Sequence, residues 1–227
     1  MRLQAGMSAA PFPDVVLFDL DGTLLDSAPD MLATVNRMRA ARGQEPMALP
    51  ALRPHVSRGA RAMTAAAFPG LDGEVPTAMV HEFLDVYAQE LGRHSAPFAG
   101  VPALLEAIEA AGRRWGIVTN KPERLARRVL AGLGWEERCA VLVGGDTLAE
   151  RKPHPLPLLH AAQSLGVAPA DCAYVGDDAR DIAAARAAGM PAVVALWGYR
   201  LAEDDPSSWG GDALVEAPRD LLDWPLA

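Results

Sequence analysis

Residues 15–27 read VVLFDLDGTLLDS, an apolar run followed by three aspartates within eight residues. Val15–Phe18 is a short, unbroken apolar run, which is typical of a strand buried on both faces of a parallel sheet. Asp19 and Asp21 follow the run, and they can face one ligand only if the chain turns at Gly22, where glycine permits a turn. The stretch therefore predicts a buried strand with two carboxylates just beyond its carboxyl end.

Four further apolar runs follow the same pattern, each separated from the next by a helix-length segment. The runs are 115–118, 141–143, 173–175 and 192–196. Helices are predicted at 101–111, 122–131, 156–165 and 180–188, and each is followed by a glycine, the residue expected just beyond a helix end. This alternation predicts an α/β fold with a doubly wound parallel sheet.

Residues 29–97 interrupt the alternation, because they contain no convincing strand and their pattern is helical throughout. Apolar residues at helical spacing mark two helices, with Met31, Leu32, Val35 and Met38 in the first and Met79, Val80, Phe83, Leu84, Tyr87 and Leu91 in the second. We therefore predict a helical cap domain at 29–97, inserted into a core domain formed by 14–28 and 98–227. Residues 1–13 are predicted to be a disordered tail and 202–211 a polar loop.

The composition limits the classes of function. The 227 residues, half of them apolar, suffice for one large domain or a domain with an insertion. Cys139 and Cys172 show neither disulfide nor metal-ligand spacing, which predicts reduced core residues in a cytoplasmic protein. Residues 1–13 lack the apolar run of a signal peptide or membrane anchor. A net charge of −8 disfavours nucleic acid and membrane partners but not a small anionic substrate, and it leaves the oligomeric state open.

Polar residues collect at the predicted carboxyl ends of the strands, where ligands bind in parallel α/β sheets. In chain order they are Asp19, Asp21, Asp26, Thr119, Asn120, Lys121, Lys152, Asp177, Asp178 and Asp181. At least three converging carboxylates would repel one another unless a hard divalent cation lay between them, and all-oxygen ligation suits Mg²⁺. A phosphate there would find donors in Thr119, the amides around Asn120 and Lys152. Asp26 and Asp178 fit a helix cap or turn equally well.

The motif DLDGTLLDS at residues 19–27 resembles, almost residue for residue, the signature of the phosphoglycolate phosphatase-like branch of the haloacid dehalogenase (HAD) superfamily. The resemblance spans nearly the whole chain, including a helical cap inserted after the first motif. It implies a Rossmann-like HAD core and a Mg²⁺-dependent phosphomonoester hydrolase that acts on a small phosphorylated metabolite through an aspartyl phosphate. Covalent catalysis of this kind divides a displacement at phosphorus into two in-line steps.

The resemblance also implies roles for the acidic residues. Asp19 attacks phosphorus, while Asp21 protonates the leaving oxygen, later activates water and lends its backbone carbonyl to the metal. Asp19, Asp21 and Asp177 would form the metal site, and Asp181 would support the lysine or a metal-bound water. Asp178 lies where relatives often have Ser, Gly or Thr, so its contact with the metal is left open.

Two lysines compete for the place beside the nucleophile, since Lys121 and Lys152 both precede a proline near a strand end. Lys152 is preferred because it follows the third strand, as in the family, and it would pair with Asp19 and the phosphoryl oxygens. Lys121 is then expected at the pocket entrance, among the substrate-binding residues. Thr119 and Asn120 would bind the phosphate.

The cap segment 56–63, VSRGARAM, resembles the cap loop of phosphoglycolate phosphatases and, more closely, the branch that dephosphorylates N-acetylmuramic acid 6-phosphate in cell-wall (peptidoglycan) recycling. Segment 115–122 and the loop 204–211 resemble the same branch. This favours N-acetylmuramic acid 6-phosphate as the substrate, with 2-phosphoglycolate as the alternative. Both candidate substrates carry a carboxylate besides the phosphate. The planar guanidinium of Arg58, in the cap turn, is predicted to bind that carboxylate through paired N–H donors.

Other functions fit the same residues less well. A non-enzymatic phospho-acceptor (receiver) domain also has an acceptor Asp, a Thr and a Lys at strand ends, but it is much smaller and has no cap. A hydrolytic dehalogenase would need neither Asp21 nor the metal cluster. A hexose-phosphate mutase uses the same carboxylates, and only product analysis would separate it from a phosphatase.

Overall fold

The strand after residue 14 lies at the centre of a sheet in this structure, a computed structural model that describes residues 12–71 and 74–223. In chain order the strands are β1 (Val15–Phe18), β2 (Leu25–Asp26), β3 (Ala96–Pro97), β4 (Arg114–Val118), β5 (Leu142–Val143), β6 (Cys172–Gly176), β7 (Ala192–Ala195) and β8 (Ala213–Val215). Six of them form a sheet in the order β5-β4-β1-β6-β7-β8, and all neighbours are parallel. β2 and β3 form a separate antiparallel pair.

Helices cover both faces of the sheet. In chain order the helices are α1 (Ala28–Ala40), α2 (Leu49–Leu52), α3 (Gly59–Ala67), α4 (Thr77–Glu90), α5 (Val101–Ala110), α6 (Glu123–Leu133), α7 (Leu156–Leu165) and α8 (Ala179–Ala187). Successive side chains of β1 enter different clusters: Val16 and Phe18 pack with residues of α5 and α6, whereas Val15 and Leu17 pack with α7 and α8. Burial on both faces explains the unbroken apolar run, and the α/β fold with a doubly wound parallel sheet is confirmed.

The predicted insertion contains α1 to α4, which pack around a third apolar cluster that includes Met31, Val35 and Phe83. Tyr199, from the part of the chain after β7, joins the same cluster. The β2–β3 pair lies where the chain enters and leaves these helices, close to the two predicted bounds of the cap, residues 29 and 97. The division into core and cap domains at 29–97 stays a prediction, since contacts cross between the two parts.

Several element bounds differ from the sequence prediction. Gly132 lies inside α6, which instead ends at Leu133 and is capped by Gly134, a residue with φ 67°. The predicted polar loop contains a short helix, Pro206–Trp209, and is followed by β8, an edge strand that was not predicted. Leu214 of β8 is exposed, and no predicted helix separates β8 from β7, so the alternation that marked the other strands does not extend to it.

The predicted tail lies mostly outside the described residues, which begin at residue 12. Phe12, at its end, is buried in the cluster beneath α5 and α6 and therefore belongs to the core. Within the described ranges, no helix is long and apolar enough to cross a membrane.

Candidate active site

Three adjacent strands, β4, β1 and β6, end side by side and bring Thr119, Asp19 and Asp177 to one edge of the sheet. The Asp19 amide donates to the carbonyl of Val175 at 2.9 Å, so the chain remains bonded to β6 as it leaves β1. All three polar side chains are buried. The strand order thus accounts for their proximity, as the sequence predicted.

The acidic cluster consists of Asp19, Asp177 and Asp181, whose carboxylate oxygens lie within 4.8 Å of one another. Burial, and then the negative charges of Asp19 and Asp181, raise the pKa of Asp177 well above its ordinary value. A hard cation among these oxygens would remove that repulsion, and the all-oxygen donor set fits Mg²⁺. Asp181 therefore joins the side-chain cluster, whereas the Asp21 carboxylate lies outside it.

Asp177 is held by donors from distant parts of the chain. Its carboxylate accepts hydrogen bonds from the Thr23 hydroxyl at 2.9 Å, the Ser57 hydroxyl at 2.8 Å and the Tyr199 amide at 2.9 Å. Gly22 has φ 94°, and a Cβ atom there would collide with the Asp177 carboxylate. Glycine is therefore required for two reasons, the left-handed backbone and the close approach.

Lys152 lies against the predicted nucleophile. Its Nζ is 3.0 Å from Asp19 Oδ1 and 2.7 Å from Asp181 Oδ1, and it donates to the Tyr174 hydroxyl at 2.7 Å. Burial lowers the pKa of this lysine, but the charges of Asp181 and Asp19 outweigh burial and raise it above the ordinary value. Lys152 is therefore held as a cation beside Asp19, as the sequence reasoning preferred.

Lys121 occupies a matching position beside the second aspartate. Its Nζ lies 3.0 and 3.1 Å from the two Asp21 carboxylate oxygens, donates to the Tyr87 hydroxyl and lies 4.5 Å from the Tyr87 ring centroid. Its side chain is buried, so it lies inside the site and not at the pocket entrance expected for it. Tyr87 belongs to α4, and sequence reasoning had assigned it only an apolar packing role.

Asn120 connects two loops of the site. Its Nδ2 donates to the backbone carbonyl of Lys152 at 2.9 Å, and its buried Oδ1 has no partner among the described residues. The Thr119 hydroxyl accepts from the Lys121 amide at 3.2 Å, which leaves its proton free to donate. Both residues therefore lie where the sequence predicted them, with hydrogen-bonding capacity left over.

A cavity of about 460 Å³ lies above these residues. Its floor contains Asp19, Asp21 and Thr119, and its walls include Val56, Met63, Phe83, Leu84 and Leu125. Five cationic side chains also line it, namely Arg58, Arg61, Lys121, Arg151 and Arg180. The cavity combines a charged floor with an apolar wall, and its volume suits a small-molecule ligand.

Comparison with known proteins identifies the family of this chain. The sequence profile described as haloacid dehalogenase-like hydrolase matches residues 13–189. The chain belongs to this family. A phosphoglycolate phosphatase from Xylella fastidiosa (strain Temecula1) is 63% identical over 212 residues, covering 93% of each chain. An N-acetylmuramic acid 6-phosphate phosphatase from Pseudomonas aeruginosa is 47% identical over 209 residues, covering 92% of each chain.

The solved structures agree with this assignment. The crystal structure of a predicted phosphoglycolate phosphatase from Haemophilus somnus 129PT has a TM-score of 0.81 and 26% identity, covering 94% of this chain and 98% of its own. The present HAD-family chain is therefore a phosphoric monoester hydrolase with the family's α/β core.

Asp178 of this hydrolase takes the helix-cap role that the sequence left open, whereas Asp26 lies in β2 and binds side chains from other parts of the chain. Asp178 begins α8, where it accepts from the Arg180 amide at 2.9 Å and from Arg180 Nε at 2.7 Å. Asp26 pairs with Arg53 at 3.0 Å and accepts from the Tyr199 hydroxyl at 2.7 Å. Neither belongs to the acidic cluster.

Arg58, the predicted carboxylate-binding residue, precedes Gly59 at the start of α3. It lines the cavity, but its Nη2 donates to Asp204 Oδ1 at 3.0 Å and 44% of its side chain is exposed. The guanidinium is thus engaged within the protein in this conformation. Its role toward a substrate stays a prediction.

Proposed function

We propose that this HAD-family hydrolase is a Mg²⁺-dependent phosphomonoester hydrolase that acts on a small phosphorylated metabolite through an aspartyl phosphate at Asp19. The observation that carries the proposal is the contact of Asp19 with Lys152 beside the acidic cluster, at the floor of the cavity. The Asp19 carboxylate can attack phosphorus only if the negative charge of the phosphoryl oxygens is neutralised. The Lys152 ammonium contributes to that neutralisation.

The reaction would proceed in two in-line displacements. In the first, an Asp19 oxygen bonds to phosphorus as the ester oxygen leaves and takes a proton from Asp21. In the second, Asp21 removes a proton from water, whose oxygen bonds to phosphorus as the Asp19–phosphorus bond breaks. Lys121 would hold the Asp21 carboxylate for both steps, while Thr119 and the Asn120 amide would donate to phosphoryl oxygens.

The metal site would consist of the Asp19 and Asp177 carboxylates and, by the family resemblance, the backbone carbonyl of Asp21. Asp181 would support Lys152, to which it is bonded at 2.7 Å. When bound, Mg²⁺ would supply positive charge that offsets both the carboxylates and the incoming phosphoryl group. The raised pKa of Asp177 supports this proposal, because a buried acid among acids is most easily ionised beside a cation.

For the substrate we favour N-acetylmuramic acid 6-phosphate, which would place the enzyme in the recycling of peptidoglycan. A two-carbon acid such as 2-phosphoglycolate would leave most of the 460 Å³ cavity empty, whereas an N-acylated sugar acid could contact the apolar walls. The second candidate is 2-phosphoglycolate, which is supported by the name of the 63% identical relative.

A phosphate-release assay tests the proposal. Wild type and Asp19→Asn would be compared, with Mg²⁺ and with excess chelator, on N-acetylmuramic acid 6-phosphate, 2-phosphoglycolate, a hexose 6-phosphate and an aryl phosphate. We expect the highest kcat/KM on the first substrate, loss of activity with chelator, and a decrease of at least about a thousandfold for Asp19→Asn. Full activity in chelator, or conversion of the hexose phosphate to its isomer, would contradict the proposal.

A further inference from the structure

The cations that line the cavity differ in how they are paired. Four have partners within the protein: Arg58 with Asp204, Arg61 with the carbonyl of Val75, Lys121 with Asp21, and Arg180 with Asp178. Arg151 is exposed, and its guanidinium makes no hydrogen bond or ion pair with any residue in 12–71 or 74–223. Arg151 is therefore the cation of this cavity that can bind an anion without losing a protein contact.

The difference in pairing indicates which arginine would bind a second anionic group of the substrate at the lower cost in free energy. Arg58 would have to leave Asp204, and Arg180 is held by both oxygens of Asp178 and by the carbonyl of Ser57. A free guanidinium presents its planar set of donors at the cost of side-chain entropy and hydration alone. On energetic grounds Arg151 is the favoured partner.

The backbone of Arg151 is anchored next to the reacting group. Its carbonyl accepts from the His154 amide at 2.9 Å, and the carbonyl of the next residue, Lys152, accepts from Asn120 Nδ2 at 2.9 Å. The Lys152 side chain is buried against Asp19, while the neighbouring Arg151 side chain is exposed and lines the cavity. The two neighbouring cations thus have different surroundings on one anchored loop, since Lys152 contacts Asp19 and Arg151 lines the cavity.

We propose that Arg151 binds the carboxylate of the substrate and thereby sets a preference for phosphorylated carboxylic acids. This inference rests on the proposed function, because it assigns Lys152 to the phosphoryl end of the same molecule. The guanidinium would donate two parallel N–H bonds to the carboxylate, a geometry that a lysine does not reproduce.

A matched pair of substrates isolates the lactyl group that carries the carboxylate. N-acetylglucosamine 6-phosphate shares the ring, the acetamide and the phosphate of N-acetylmuramic acid 6-phosphate but has a hydroxyl in place of the whole lactyl ether. The experiment measures kcat and KM on both for wild type, Arg151→Gln, Arg151→Lys and, as the comparison arginine, Arg58→Gln. We expect both Arg151 variants to lose about tenfold to a hundredfold more kcat/KM on the acid than on its partner, chiefly through KM.

Three results would overturn the inference. The first is an equal loss of kcat/KM on both sugars in the Arg151 variants, which would mean that Arg151 contacts the phosphate or maintains the structure of the loop. The second is a selective loss for Arg58→Gln with the Arg151 variants retaining the wild-type preference. The third is a wild type that hydrolyses both sugars equally well. Absence of phosphate release by wild type from any ester would instead overturn the proposed function, and the inference with it.

Discussion

At the scale of single residues, Asp177 and Asp178 are adjacent in the chain but have different surroundings. Asp177 is fully buried in the acidic cluster, and its pKa lies well above the ordinary value. Asp178 is also largely enclosed, which raises its pKa, but its bonds to Arg180 lower it further than burial raises it. The Asp177 carboxylate is therefore placed to bind a metal cation, whereas the Asp178 carboxylate is already paired with the Arg180 side chain.

We predict that Asp177→Asn and Asp178→Ala separate metal binding from stability. Asp177→Asn keeps the shape of the side chain but loses its charge, so the Mg²⁺ concentration for half-maximal activity should rise at least about tenfold. Asp178→Ala removes the helix cap of α8 and should lower the free energy of unfolding by about 1 kcal/mol, without changing the Mg²⁺ requirement. Mg²⁺ titration of activity and thermal unfolding measure both; an equal Mg²⁺ shift in the two variants would contradict this division.

The stability loss in Asp178→Ala should also depend on pH. A carboxyl group whose pKa is lower in the folded protein stabilises the fold at pH values above its unfolded pKa, about 3.9. That contribution disappears as the pH falls through the folded-state pKa. The difference in unfolding free energy between wild type and variant should therefore shrink below about pH 4. A difference that stays constant or grows down to about pH 2 would show that the Asp178 charge is not involved.

Among the secondary-structure elements of the site, the same set of contacts occurs twice: an aspartate contacts a lysine, and the lysine donates to a tyrosine hydroxyl. Asp19 contacts Lys152, which donates to Tyr174 of β6, and Asp21 contacts Lys121, which donates to Tyr87 of α4. In both cases the ammonium lies near the tyrosine ring, at 5.3 and 4.5 Å from its centroid. The first set lies at the edge of the sheet, where Asp19 and Lys152 in loops meet Tyr174 of a strand, whereas the second joins the end of β4 to a helix of the predicted cap.

We predict that the Tyr87 hydroxyl affects turnover because it helps to hold Lys121 against Asp21. Tyr87→Phe keeps the ring but removes the oxygen, and kcat should fall about threefold to tenfold. Lys121→Met leaves Asp21 without its partner, and kcat should fall about a hundredfold, within the range expected for acid–base catalysis. Steady-state kinetics on an aryl phosphate measure both effects.

Thr34→Val supplies the control for Tyr87→Phe. Thr34 is a buried residue of α1 whose hydroxyl donates to the Asp30 carbonyl in the same helix, and no hydrogen bond joins it to Lys121. Its loss should reduce stability by about 1 kcal/mol and leave kcat near the wild-type value. If Tyr87→Phe and Thr34→Val have the same effect on kcat, the Tyr87 hydroxyl has only a structural role.

In the whole molecule, residues at the end of the sheet form the floor of the cavity, and helices of 29–97 form its walls. The positions of Asp19, Thr119 and Asp177 could be predicted from sequence, because a local rule places the residues that follow parallel strands at one edge. The pairs Tyr87–Lys121 and Ser57–Asp177 could not be predicted. Their members are far apart in the chain and meet only where α3 and α4 pack above the sheet, an arrangement that no local pattern encodes.

The names of the relatives show that this fold alone does not identify a substrate. Two proteins that cover more than nine-tenths of this chain are named for different substrates, one for phosphoglycolate and one for N-acetylmuramic acid 6-phosphate. The same scaffold therefore accommodates either acid, and the lining residues must distinguish them. The edge strand β8 was missed although Ala213–Val215 is apolar, because a polar stretch and no predicted helix precede it, which breaks the alternation that placed the other strands.

The stereochemical course at phosphorus distinguishes covalent catalysis by Asp19 from direct attack of water. The enzyme would hydrolyse, with Mg²⁺ present, an aryl phosphate made chiral at phosphorus with oxygen isotopes and sulfur. Each in-line displacement inverts the configuration, so attack by Asp19 followed by attack of water predicts overall retention. Inversion would mean that water displaces the leaving group in one step, and it would contradict the aspartyl phosphate and the role assigned to Asp19.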